Sequence, residues 1–228
     1  MANKNVNTPE EEALNEAMTK TEIFFAENGR KVVYGLLGLI AVAALLFGYK
    51  MLVMEPRMQA AAELISSAQM NFDSTTPNYE LALMGDGNSA GFLDVIADYG
   101  STPSANLAYH YAGICYLQMG DVASAGEYLA KYKSVKGIPG ELINAQNLGL
   151  QGDVAVEKGD YKGAIAFYAK AVEASENDFT APLYLRKGAL AFIALGDKAA
   201  AKALLERIVK GYPSSQEVME ANKMLGTI

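Results

Sequence analysis

The 228-residue sequence contains one cysteine, one histidine and no tryptophan, and its 19 Lys and Arg are outnumbered by 26 Asp and Glu. Each scarcity excludes a class of function. A single Cys forms no internal disulfide and is silent about compartment. Together with one His it supplies too few ligands for a zinc site and too few partners for Ser-His-Asp or Cys-His catalysis. A net charge of −7 lacks the basic face with which nucleic-acid binders displace counterions from phosphates. No cofactor, no metal site, no nucleic-acid partner and no enzymatic activity are therefore expected.

Cations are also missing locally. Residues 58–130 hold Glu63, Asp73, Glu80, Asp86, Asp94, Asp98, Asp121 and Glu127 but no Lys or Arg, whereas both signs mix from Lys131 onward. Such an acidic half is repelled by anionic headgroups, or simply serves as a solvated surface that keeps the chain soluble.

Residues 32–49 carry no charge, and if Lys50 snorkels toward the headgroups the apolar stretch reaches residue 54. At about 1.5 Å per residue this gives roughly 27–35 Å of helix, enough for a bilayer core of ~30 Å. We read residues 32–54 as one transmembrane helix surrounded by lipid. A secretory signal has a shorter apolar stretch nearer the N-terminus, and a core helix is rarely apolar on every face. Lys20, Arg30 and Lys31 precede the span, and after Lys50 and Arg57 the next cation is Lys131. The positive-inside rule then predicts a cytoplasmic leader, residues 1–31, and an exported remainder. In that leader, Thr8-Pro9-Glu10-Glu11-Glu12 has the chemistry of a helix start, and Leu14, Ala17, Met18 and Phe24 or Phe25 recur at helical spacing. Such a helix lies at the membrane interface or binds a partner.

Residues 55–104 read as membrane-proximal helices. Apolar residues recur at helical intervals over 58–72, with a bend expected near Pro56, and residues 73–77 break the pattern. Gly85-Asp86-Gly87 is a turn, and its faint likeness to a calcium loop lacks the remaining ligands. Residues 89–99 suit the second helix of a degenerate repeat.

From residue 105 to 228 the pattern is regular. Gly120-Asp121, Gly159-Asp160 and Gly196-Asp197 divide apolar helical segments at intervals of 39 and 37 residues. Gly supplies the positive φ that ends one helix and Asp caps the next. A helix pair cannot bury both faces alone, so a period of this size predicts a stack of pairs. Three units follow, 106–139, 145–178 and 182–215, with a closing helix over 216–226. Small residues (Gly113, Ala125, Gly152, Ala164, Ala189 and Ala201) face larger ones such as Tyr109, Tyr116, Leu148, Tyr168, Leu185 and Phe192, so that helices approach closely. Extra residues at 140–144 and 179–181 stretch the period. In these positions the chain resembles the tetratricopeptide repeat, a 34-residue helix-turn-helix, although Trp is absent and Ala155 stands where an aromatic is expected. The fold class is thus all-α, a tetratricopeptide-like solenoid preceded by a single transmembrane helix.

That resemblance implies a partner-binding groove built from the first helices. Its outward positions map onto Leu107, His110, Ile114 and Gln118 in the first unit, Gln146, Asp153 and Glu157 in the second, and Leu183, Arg186 and Leu190 in the third. Apolar walls with a few charges suit a protein or peptide partner, and the alternative is ordinary solenoid surface. His110 as the sole His is a candidate pH sensor, or a plain surface residue, and Cys115 reads as a small buried packing residue.

The whole layout of stub, span and exported repeats resembles the YfgM-like family of ancillary SecYEG translocon subunits. This implies a bacterial inner-membrane protein with a periplasmic C-terminal domain, and a secretion translocon or periplasmic chaperone as partner. The expected function is membrane-anchored protein binding in secretion or envelope biogenesis, as a scaffold or chaperone-adaptor. The alternative is a structural subunit of a fixed envelope complex, assembled through the membrane helix at its Gly35 and Gly38 face.

Overall fold

A computed structural model describes the backbone of residues 9–228 and side chains from Met18 onward, except at positions 20 and 21. Thr8, and the side chains of Leu14 and Ala17 on the expected leader helix, lie outside the described residues. Among the described residues the secondary structure is helical, without strands. The chain divides into two compact units at Pro56.

The first unit is helix α1 (Pro9–Tyr49) followed by one π-helical turn, Lys50–Met54. In that turn the Glu55 amide donates to the Lys50 carbonyl, five residues back. Pro56 has no N–H, and in a regular helix its ring would press on the carbonyl four residues earlier. The sequence led us to expect a bend near Pro56, and there the backbone widens into a π turn just before the proline. The apolar side chains of α1 point outward all round, with Leu45 74% and Phe47 68% exposed. A core helix would bury such residues, so that alternative fails, and α1 is long and apolar enough to cross a membrane.

The second unit, Arg57–Ile228, begins within α2 (Glu55–Phe72). After the expected break come α3 (Tyr79–Met84) and α4 (Phe92–Tyr99). Asn78 caps α3 by accepting from the Leu81 amide, and Gly85 and Gly87 take φ of 69° and 83° between α3 and α4. Asp86 Oδ1 accepts from the Asn88 and Ser89 amides, which makes this segment an Asx-type turn. Ile65, Leu83, Phe92 and Val95 from these helices form one apolar cluster with Ala105, Ala108, Ala112 and Cys115 of α5. Phe72 meets Tyr79, Phe92 and Tyr111 edge-on within it.

Three helix pairs follow: α5 (Pro103–Gln118) with α6 (Val122–Lys131), α7 (Gly140–Glu157) with α8 (Tyr161–Ala174), and α9 (Thr180–Ala194) with α10 (Lys198–Gly211). A closing helix, α11 (Glu217–Leu225), ends the stack. Each pair turns in the same way. Gly120, Gly159 and Gly196 have φ of 83°, 75° and 81°. The amides of Asp121, Asp160 and Asp197 reach back to the carbonyls of Tyr116, Ala155 and Phe192, closing a Schellman turn. The same aspartates accept from the Ser124, Gly163 and Ala200 amides and so cap the second helix.

The small residues sit where helices touch. A Cβ on Gly113 would fall 2.5 Å from Leu129 Cγ, and one on Gly152 2.5 Å from the Tyr168 ring. One expectation changes. Residues 140–144 are not an insert between units: they form the first turn of α7, which the Asn144 side chain ties to the Val135 backbone in both directions. Likewise Thr180 and Ala181 open α9.

The apolar core is discontinuous along the stack. One cluster spans α2 to α5 and a larger one spans α7 to α11, while between them Leu129 and Ala125 of α6 meet Val154 of α7 in a smaller group. Leu117, Val122 and Leu150 pack on that group, and the rest of the seam between the first and second pairs carries polar contacts. His110 of α5 meets Asn147 of α7, Asn147 accepts from Gln151, and Tyr132 donates to Asn144.

Candidate functional site

The face formed by the first helices α5, α7 and α9 is where the sequence placed a partner groove, and the structure sorts those ten residues into three groups. Gln118, Gln146, Glu157 and Leu190 face solvent, Leu190 being 45% exposed. Leu107 and Leu183 are half-buried and pack against the two large apolar clusters. His110, Asp153 and Arg186 are turned toward a neighbouring helix, and Ile114 is buried.

The third group corrects the outward assignment, and its cause is helix stacking. Positions 110, 149 and 186 are equivalent under the repeat, and each lies on the side of its helix that meets the next layer. His110 contacts Asn147 of α7, at 3.3 Å between Nδ1 and Nδ2. Gly149 lies against the Tyr184 ring of α9, and Arg186 is ion-paired with Glu217 of α11. His110 is only 2% exposed. Burial drives its pKa down to about 4, partly offset by a hydrogen bond to Gln146. It is therefore a neutral seam residue at physiological pH, not a surface one. Ile114 is buried as well, and so is Cys115, whose thiol burial pushes up to about 12.

Asp153 is the electrostatic centre of the face. Lys187 of α9 reaches both of its oxygens, at 2.8 and 2.6 Å, and the Tyr168 hydroxyl of α8 donates to Oδ1 at 2.7 Å. Burial, then the Asp153 carboxylate, raise the Tyr168 pKa, and the same causes push Tyr184 up to about 12. The cluster thus holds one carboxylate, one ammonium and a neutral phenol that ties α7, α8 and α9 together.

Two open cavities flank Asp153. One of about 440 Å³ lies between the α5–α6 turn and α7, lined by Leu117, Gly120, Val122, Val156 and Glu157. Another of about 240 Å³ lies between the α7–α8 turn and α9, with Val156, Tyr161, Lys187 and Leu190 in its wall. Asp153 and Val156 belong to both, so these hollows run side by side along the turn edge of the stack. Sequence reading found Asp153, Glu157 and Leu190 in this strip and missed Leu117, Val156, Tyr161 and Lys187. A signal for the first two existed: Leu117 and Val156 stand 39 residues apart, one place before Gln118 and Glu157 in the helical stripe.

The tetratricopeptide repeat family matches at residues 155–219, from the end of α7 through α10 into α11. Over that stretch the chain is similar to a repeat whose general business is binding other proteins. A comparison with curated proteins finds no match.

Proposed function

We propose that this chain is a membrane-anchored protein-binding protein. Its helix α1 spans the bacterial inner membrane with the N-terminus in the cytoplasm. Its repeats, in the periplasm, present the strip around Asp153 to a secretion translocon component or a periplasmic chaperone. The observation that carries this reading is the strip itself. Solvent-facing Glu157 and Leu190 line hollows with apolar walls at Leu117 and Val156, and the Asp153–Lys187 pair ties α7 to α9 beneath them. Apolar hollows flanked by a few charges suit an extended or helical peptide. Anchoring confines the domain to a thin shell at the membrane, which raises its effective concentration for a membrane partner and lets weak contacts suffice.

The test is in-cell photocrosslinking from position 118, 157 or 190, with position 202 on α10 as an off-strip control. The expected capture is a translocon subunit or a chaperone from the strip and not from the control. Equal labelling from all four positions would sink the strip as the interface.

A second reading has its own observation. Gly35 and Gly38, three residues apart on α1, give that helix a small-residue face, and a face of this kind can pack on a partner helix. Replacing residues 32–54 by an unrelated apolar helix separates the two: strip crosslinks persist if the repeats recruit the partner and vanish if the span does.

A further inference from the structure

A cleft bordered by the second helices α8 and α10, with α9 at its base, is a different surface from the strip. Its volume is about 290 Å³, and Ile165, Val172, Leu185, Phe192 and Leu204 form its apolar walls. That size sits at the lower end of ligand pockets, roughly 300 Å³, and accommodates one or two apolar side chains. Gly188 opens its base: a Cβ there would come within 3.2 Å of Leu204 Cδ1 and 3.9 Å of Tyr168 Cβ. One repeat earlier the place of Gly188 is held by Gln151, whose amide bonds to Asn147. The Tyr168 ring is shared, since it lines the cleft while its hydroxyl meets Asp153 beside the strip.

The rim gives the cleft a sign. Glu176 accepts from Arg207 at 2.8 Å and from the Tyr212 hydroxyl at 3.2 Å, so those two opposite charges balance. Glu173, exposed on α8 at the same rim, has no ion pair or hydrogen bond among the described residues. An apolar hollow with one unbalanced carboxylate at its mouth complements a segment that is apolar and cationic together.

We propose that this cleft docks a peptide segment of a partner protein, which inserts a leucine or phenylalanine between α8 and α10 while an adjacent lysine or arginine meets Glu173. The proposal rests on the reading of the chain as a protein-binding module and adds a second contact to it. Because the crosslinks described above leave from the strip, either result stands or falls without the other.

The test uses the full-length chain in nanodiscs of phosphatidylcholine, a lipid without net charge that does not attract a cationic probe. The probe is a fluorescent acetylated Lys-Lys-Leu-Phe-Lys-Lys peptide, followed by anisotropy. Ala169→Arg places a long side chain at the mouth from an exposed position of α8, and Glu173→Lys reverses the rim charge; both lie on the surface, and circular dichroism checks that helicity is unchanged. Each variant is expected to weaken binding roughly tenfold. The peptide with Ser-Ser in place of Leu-Phe, and the one with Glu in place of Lys, are expected to bind at least that much more weakly. Equal binding to wild type and Ala169→Arg overturns the proposal, as does binding of the Ser-Ser peptide as tightly as the parent. Self-association of the chain that Ala169→Arg abolishes also overturns it, because the occupant is then a second copy.

Discussion

His110 shows how a residue's surroundings set its chemistry. Buried beside Asn147 and the Tyr111 and Tyr132 rings, it is held neutral with a pKa of about 4, against an unfolded value of 6.5. The unfolded chain therefore binds the proton first, and stability is lost as pH falls through the window from about 6.5 to about 4. The loss approaches about 3 kcal/mol at the acid end, and thermal melts of the full-length chain should show it. His110→Gln should flatten the curve across that window, and an unchanged slope would mean that His110 is not the group that titrates. Gly152 illustrates a steric demand at the same scale. The Tyr168 ring it faces is anchored through its hydroxyl to Asp153 and cannot swing away. Gly152→Ala should cost about 1–3 kcal/mol, seen as a melting point lower by several degrees. A neutral result would show that the α7–α8 contact is looser than the geometry states.

At the scale of the element, the recurring Gly-Asp turn carries the architecture. Asp197→Ala removes the acceptor for the Ala200 amide and should lower stability by about 1 kcal/mol. Asp197→Asn should keep most of it, a comparison that denaturant titration resolves and that fails if both variants fall equally. These turns were legible in the sequence because few residues other than Gly enter the left-handed region and few other than Asp, Asn, Ser or Thr cap a helix. The pairing of Gly113 with Leu129 and of Gly152 with Tyr168 was legible for a similar reason, since absent side chains mark close approach. The start of α7 was not. Pro139-Gly140 reads as a break, and only the contact of Asn144 with Val135, across the loop, explains why helix begins there. The orientation of His110 and Arg186 was hidden too. Their equivalent position holds His, Gly and Arg in the three pairs, and no shared chemistry announces that all three meet the next layer. Lys187, one residue beyond the expected stripe, became visible as the partner of Asp153 only once α7 and α9 stood side by side.

At the scale of the molecule, the unburied apolar helix is long and apolar enough to cross a membrane. After gentle breakage of cells the full-length chain should sediment with membranes and withstand alkaline carbonate, whereas a chain lacking residues 1–54 should be soluble. Release of the intact chain by carbonate would refute a spanning α1. The divided core has a mechanical consequence of its own. The apolar cluster of α2 to α5 and that of α7 to α11 are separate bodies of packed side chains, coupled across a junction that sets only the small group around Leu129 and Val154 beside amides, an imidazole and a phenol. Water competes for such bonds far better than it competes for buried methyl groups. Amide protons of α7 to α11 should then exchange on one common clock and those of α2 to α5 on a faster one. A pulling force on the chain should be absorbed in two successive yields, so that the half built from α2 to α5 can give way while the half bearing the Asp153 strip stays intact.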